Sequence, residues 1–417
     1  MMTRSKPNRN NELYYFYFPL AFLLFPTFPR LTSNGDYIVF MFGVGFVLFT
    51  FLFLFRSIKV PLKVSAYFLI MLLCLSWSLG LDGYNGIVTF SDISELAKVL
   101  CYFVFFLYLY NSRGDPQSIL NGFIKLIWVF SLFVVVFNLL DVFNLLGFRE
   151  VSYYLYKRES VPILGNKAIS PFFTTYNFAS FMLWPMSFFF LCAFKCRGLS
   201  YRIKSLVMFF LVFVTILLSQ SRSSLLTIAI ALLLMLFLIL NVKRMFVVAG
   251  GVSLMVFFGI YYIQELKELM PYMFDGIEQI SQGNSNSVNY RQDQIDYVFD
   301  KINTPLGFGV AKSLYMFESL YSLYPSRYGL FFLVLFLFAC VFTSFIYFSV
   351  SRRSAFNPVQ SCFALSLFVW YITYPISGLS SAHHDTTKFS LFFYGFLGLA
   401  LYLNQSFKRQ ESLLSSN

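Results

Sequence analysis

The sequence predicts an all-α polytopic membrane protein of about twelve transmembrane helices, and three observations predict it. The chain is 58% hydrophobic and only 12% charged, whereas soluble domains carry roughly 25% charge. Aromatic residues make up 21% of it, with 57 phenylalanines, more apolar surface than a soluble core can hide. Apolar segments near the roughly 20 residues needed to cross a roughly 30 Å hydrocarbon layer recur along the whole length.

Taken in order, the apolar runs predict spans at 13–30, 37–55, 64–81, 96–110, 122–140, 171–194, 203–219, 223–240, 245–263, 329–350, 358–378 and 387–404. Arg4, Lys6 and Arg9 precede the first run as in a signal peptide. The run is too long for one and lacks a small-residue cleavage site, so it reads as an uncleaved anchor. The fourth run is short. The seventh and eighth could be mistaken for one broken helix, because only a short polar island separates them. Three regions follow: residues 1–263 with nine spans and an external loop at 141–170, a large external loop at 264–328, and residues 329–417 with three spans and a tail.

Orientation follows from lysine and arginine, which favour cytoplasmic connections. With the N-terminus inside, alternate connections collect Lys59, Lys63, Arg113, Lys195, Arg197, Arg202, Lys204, Lys243, Arg244, Arg352, Arg353, Lys408 and Arg409. The opposite connections collect most acids, among them Asp82, Asp92, Glu95, Glu265, Glu268, Asp293, Asp296, Asp300, Glu318 and Asp385. Both termini are therefore expected in the cytoplasm. The net charge of +12 reads as a topogenic signal, with no nucleic-acid partner implied. Five of the six cysteines fall in or beside spans and Cys196 in a basic cytoplasmic turn. That pattern predicts no disulfide framework, and without CxxC or His/Cys spacing it predicts no metal site.

The polar island is Ser219-Gln220-Ser221-Arg222-Ser223-Ser224, between apolar runs at 206–218 and 225–240. An arginine in a membrane segment costs roughly 2.5–3.5 kcal/mol at mid-helix on insertion scales, unless water or an anion receives it. The competing reading of Arg222 is a charge that snorkels from a helix end.

Two external connections are too long to be turns. In the larger, residues 264–280 place Leu266, Leu269, Met270, Met273, Ile277 and Ile280 at helical spacing. After the break at Gln282-Gly283-Asn284-Ser285-Asn286-Ser287, Arg291, Gln294, Ile295, Val298, Phe299 and Ile302 again recur at three and four. Asn303-Thr304-Pro305-Leu306-Gly307-Phe308-Gly309 then stops that helix. Two amphipathic helices roofing a cavity on the outer face are expected.

The order of these parts resembles the superfamily of O-antigen polymerases (Wzy-type) and O-antigen ligases. A span ends in Ser-Arg-small; a large external loop carries Arg291 and then the 303–309 segment. A short acidic and aromatic stretch runs into Tyr328-Gly329-Leu330-Phe331-Phe332. The resemblance is sharp over about 203–350. Earlier it rests on helix number and on Tyr176-Asn177-Phe178-Ala179-Ser180 near the outer end of the sixth span.

The resemblance implies a GT-C-like glycosyltransferase without a nucleotide-sugar site or cofactor. Such an enzyme moves a glycan from an undecaprenyl-pyrophosphate carrier to a sugar hydroxyl at the periplasmic face of the inner membrane. Its partners would be the carrier-linked oligosaccharide, membrane lipid and a chain-length regulator protein. A pyrophosphate leaving group needs fixed cations, and arginine's planar fork suits phosphate oxygens. Arg222 and Arg291 are the candidates, with Arg291 alternatively paired to Asp293 or Glu278.

Ligases of the superfamily carry a histidine about eleven residues before the Gly-Leu of the next span. That position is Glu318 here, and the 264–328 loop holds no histidine. A carboxylate can serve as general base, so the departure favours polymerase over ligase; the competing reading is an ordinary loop acid. Tyr290, Asn177, Tyr321, His383 and His384 are the expected substrate contacts. Adjacent histidines rarely converge on one ion, so no metal is expected at His383-His384-Asp385. A transporter or flippase is the rival class, disfavoured because ionisable residues are scarce within the spans.

Overall fold

The computed structural model describes residues 9–25, 58–112, 115–156, 166–172, 174–239, 250, 261–283, 285–302, 305–310, 317–379, 381 and 386–415. Among these residues the regular structure is helical and no strand occurs. In chain order the helices are α1 (Arg9–Leu24), α2 (Leu62–Tyr84), α3 (Phe90–Tyr110), α4 (Pro116–Val142), α5 (Phe148–Leu155), α6 (Thr175–Lys195) and α7 (Leu199–Leu218). There follow α8 (Arg222–Ile239), α9 (Ile263–Leu269), α10 (Pro271–Ser281), α11 (Asn286–Lys301), α12 (Leu320–Ser351), α13 (Pro358–Ser377) and α14 (Thr387–Ser415).

Eight described helices, α2, α3, α4, α6, α7, α8, α12 and α13, are long and apolar enough to cross a membrane. The chain is an all-α polytopic membrane protein. The predicted first span, 13–30, overlaps α1, and the predicted twelfth, 387–404, forms the first part of the longer α14. The span expected at 37–55 lies outside the described residues, and that at 245–263 lies almost wholly outside them.

The core is built around α6, which packs on α7, α8 and α13 and is buried from Asn177 to Ala193. Aromatic side chains fill the space between helices. Trp184 meets Phe396 edge-on at 4.7 Å, and Phe181 contacts Phe392 at 5.5 Å and Trp370 at 6.1 Å. Helix α14 lies along α3. A Cβ at Gly398 would stand 2.4 Å from the Phe106 carbonyl, so the small residue sets the backbone separation, as is common between membrane helices.

Helix α5 falls in the loop expected at 141–170, and two further departures from expectation bear on the site. The amphipathic stretch at 264–280 forms two helices, because Pro271 lacks the N–H that would continue α9 and instead starts α10. Helix α12 begins at Leu320, nine residues before the expected span, and bends at Gly329, whose φ is 86°. Its first turns were masked in the sequence by serines and Arg327. Leu320, Leu323, Tyr324 and Tyr328 nevertheless recur at three and four, and all are buried.

Candidate active site

The helix ends sort into two groups. At one end Asn111 hydrogen-bonds Lys59, Gln117 bonds Ala355, and Gln360 bonds Asn121 and Gln117. A cavity there joins Cys196, Arg197 and Tyr201 to Asn357 and Pro358. This basic end is the one assigned to the cytoplasm by charge. Because α6 and α7 run antiparallel, the turn at 219–221 and Arg222 stand at the other end.

That turn is held from both sides. Ser219 Oγ donates to the Ile216 carbonyl at 2.6 Å, Gln220 adopts φ 56°, and Ser224 Oγ donates to Ser221 Oγ at 2.7 Å. The chain reverses within three residues, and Arg222 becomes the first residue of α8. The amide of Ala168 donates to the Leu218 carbonyl at 3.0 Å, and Gln220 Nε2 donates to the Asn166 carbonyl at 3.5 Å. These bonds pin both neighbours of Lys167 to the turn. They bring into the site a cation that nothing local in the sequence marks.

Lys167 is buried, and its amino group lies 3.4 Å from the centre of the Tyr272 ring. The Arg222 guanidinium lies 5.1 Å from the same ring, so one tyrosine receives two cations. Burial, and then the nearby Arg222 charge, push the Lys167 amino group down to about 8. Helix α10 carries Tyr272 and rests on α8. A Cβ at Gly276 would come within 2.3 Å of Arg222 Cδ and Nη1, so glycine is what lets the guanidinium lie there.

Helix α11 supplies the second arginine. Arg222 Nη2 donates to Ser287 Oγ at 3.3 Å, and Arg291 Nη1 donates to the Ser287 carbonyl at 3.0 Å. The two arginines thus converge on one residue. Arg291 pairs with Glu318, Nη2 to Oε2, at 2.9 Å, in place of the Asp293 or Glu278 pairing considered above. The Glu318 amide donates to Gln294 Oε1 at 3.0 Å, so α11 fixes both backbone and side chain of that residue. Arg222 Nη1 and Arg291 Nε are buried without a hydrogen-bond partner. Buried donors without acceptors are costly, and here both belong to cations. With Lys167 and the positive N-terminus of α8, they gather positive charge at one place, an arrangement that can receive an anion.

The other sequence-predicted residues fall elsewhere. Asn177 donates to Thr386 Oγ1, and Tyr321 OH donates to the Pro375 carbonyl at 3.0 Å. Both therefore tie helix ends together. Tyr290 is 51% exposed beside Arg291. His383 and His384 lie outside the described residues. At the basic end the thiols of Cys192, Cys196 and Cys362 come within 4.8 Å of one another, the set best placed among the described residues to hold a metal. Spacing gave no sign of it, since Cys362 comes from α13, far along the sequence though packed against α6. Arg327 was also missed: it is buried on α12, 3.6 Å from Glu95, which bonds Lys98 at 2.7 Å.

No curated protein matches the chain. Residues 207–330 match the family model Wzy_C, described as O-antigen ligase. The matched segment carries Arg222, Arg291 and Glu318, and members of the family are glycosyltransferase-like polymerases and ligases. Together with the polytopic helical fold, that match supports the assignment of this chain to the O-antigen polymerase/ligase superfamily.

Proposed function

We propose that the protein polymerises carrier-linked oligosaccharide repeat units into O-antigen or a related surface polysaccharide at the periplasmic face of the inner membrane. The observation that carries this reading is the convergence of Arg222 and Arg291 on Ser287, with Glu318 held against Arg291. The arginines and Lys167 receive the donor's pyrophosphate. The acceptor hydroxyl oxygen attacks the anomeric carbon of the donor glycan, and its proton passes to Glu318. The bond from that carbon to the phosphate oxygen breaks, and undecaprenyl pyrophosphate leaves with its charge met by the cations. As Arg291 turns to the pyrophosphate, the Glu318 oxygens are freed for the hydroxyl.

The second reading is O-antigen ligase, favoured by the description of the matched family model. Against it stands the carboxylate at Glu318 in a 264–328 loop that contains no histidine. Deletion separates the two. A strain without its polymerase still attaches a single repeat unit to lipid A-core, whereas a strain without its ligase attaches none and accumulates carrier-linked chains. We expect the single-unit phenotype, and Glu318→Gln should reproduce it because the amide cannot take the proton. Complete loss of attached units on deletion would move the protein to the ligases.

A further inference from the structure

A second cavity reaches Phe317, the residue before Glu318, and is lined by neither arginine of the cluster nor by Lys167. Its volume is about 170 Å³, and Asp82, Asn85, Tyr297, Phe308, Phe317 and Arg327 are among its walls. Drug-sized ligands occupy pockets of roughly 300–1,000 Å³; this one suits a single small ring.

The walls are rigid, and they come from three parts of the chain. The amides of Phe308 and Gly309 donate to the Ser326 carbonyl at 2.8 and 3.2 Å, and the Val310 amide donates to the Asp82 carboxylate. Ser78 Oγ donates to the Arg327 carbonyl at 2.6 Å, locking α2 to α12. A Cβ at Gly309 would stand 2.6 Å from Asp82 Oδ1, so the segment lies flat on the end of α2. Tyr297 meets Phe308 edge-on at 6.4 Å. The cavity therefore has an aromatic corner of Tyr297 and Phe308, with Asp82, Asn85, Ser326 and Arg327 as the polar residues of its lining; the Asp82 carboxylate also holds the Val310 amide, and Arg327 pairs with Glu95. A pyranose presents the matching surfaces, an apolar face of C–H groups and a rim of hydroxyls.

Position gives the assignment. Arg291, Gln294 and Tyr297 follow at three-residue intervals on α11, and Arg291 and Tyr297 stand about 9 Å apart along a helix rising about 1.5 Å per residue. Gln294 holds the Glu318 amide, and Phe317, the preceding residue, is part of the cavity wall. One helix thus sets out, in order, the phosphate-binding arginine, the anchor of the carboxylate and the aromatic corner.

We infer that this cavity is the acceptor subsite, which holds the terminal pyranose of the acceptor glycan with its attacking hydroxyl toward Glu318. The inference rests on the glycosyl-transfer reading. In the step it serves, the new bond joins that hydroxyl oxygen to the donor's anomeric carbon, the bond to the pyrophosphate oxygen breaks, and the proton goes to Glu318.

The test uses the full chain in detergent and in membranes. Undecaprenyl diphosphate binding probes the donor side, and extension of the carrier-linked single unit extracted from the deletion strain probes the whole reaction. Asn85→Trp should fill the cavity, since Asn85 is an exposed residue at the end of α2. We expect it to bind undecaprenyl diphosphate within about twofold of the native protein while losing extension. Tyr297→Ala should lower extension roughly tenfold and Tyr297→Phe should restore it. Native extension in Asn85→Trp and Tyr297→Ala would overturn the subsite. Loss of undecaprenyl diphosphate binding in both would overturn it too, assigning the cavity to the donor or to the fold. Arg222→Ala reports on the parent reading: if it keeps both binding and extension, that reading fails whatever the cavity variants do.

Discussion

Arg291 and Glu318 form an ion pair of 2.9 Å between α11 and the residue two before α12. Both side chains are partly exposed, at 23% and 40%. Pairs of that kind add roughly 0–1 kcal/mol of stability, so the bond from the Glu318 amide to Gln294 does at least as much to hold the two segments together. Arg291 also donates to the Ser287 carbonyl, and Ser287 Oγ receives Arg222. The pair is therefore one edge of a cationic cluster, and the proposed reaction uses it to place a proton acceptor beside a phosphate receptor.

If the two groups act on one transition state, their losses should not add. Arg291→Ala and Glu318→Ala should each slow chain extension by roughly 10²–10³, the usual cost of removing one preorganised catalytic group. The double variant should be no slower than the slower single variant. The rate at which membranes consume the carrier-linked single unit measures this. Multiplying losses would mean that the pair is not a functional unit.

Gly276 offers a way to move Arg222 without changing it. A side chain there meets Arg222 Cδ, Nη1 and Cζ at 2.3–2.6 Å, and Arg222 is flexible enough to be pushed aside. Gly276→Val should leave the protein inserted and folded and should cut extension at least tenfold, since misplacement by about 1 Å can cost roughly 10². Native activity in Gly276→Val would show that the position of the guanidinium does not matter.

Packing between α3 and α14 predicts a stability effect of opposite locality. A Cβ at Gly398 would press on the Phe106 carbonyl at 2.4 Å and the Tyr110 amide at 3.1 Å. Backbone cannot yield as a side chain does, so Gly398→Leu should destabilise by roughly 1–3 kcal/mol. Gly80→Ala has no neighbouring atom within 4 Å and should be neutral or better. Melting in detergent compares the two.

What could be read in advance follows from the range of each interaction. Arg222 was legible because a lone charge between two apolar runs violates the local pattern. Arg291 and Glu318 were legible only through the order of parts, and their pairing was not, because it depends on how α11 lies across α12. The break at Pro271 was written in the proline itself. Lys167 carried no signal, since its place comes from backbone bonds between Ala168 and Leu218 and between Asn166 and Gln220. The start of α12 was hidden because Ser322, Ser326 and Arg327 lower its apolar density while packing inside the protein.

Sidedness is open to a direct chemical test. All six native cysteines are buried, which keeps the labelling background low. Gln282 and Ser354 are exposed at opposite ends. An impermeant maleimide on cells with a permeable outer membrane should label Gln282→Cys, and should label Ser354→Cys only after the inner membrane is breached. The reverse pattern would place the arginines in the cytoplasm and remove the basis for a periplasmic reaction.

Lys167 connects the site to pH. Its amino group titrates near 8 in place of the ordinary 10.5, through burial and the Arg222 charge. Below about 8 it is charged and contributes to anion binding; above that it is neutral. Affinity for undecaprenyl diphosphate should therefore fall as pH rises through about 8. Lys167→Arg stays charged throughout and should flatten that step, while Lys167→Met should show weak binding without it. Stability gives the sign independently. Between about 8 and 10.5 the unfolded chain binds more protons at this position than the folded one, so the ligand-free protein should gain stability with rising pH in that window. A bound diphosphate holds Lys167 protonated and should cancel the gain. Melting curves of native and Lys167→Met protein, with and without undecaprenyl diphosphate, decide it. A native protein whose affinity and stability are both flat from pH 7 to 10.5 would remove Lys167 from the site.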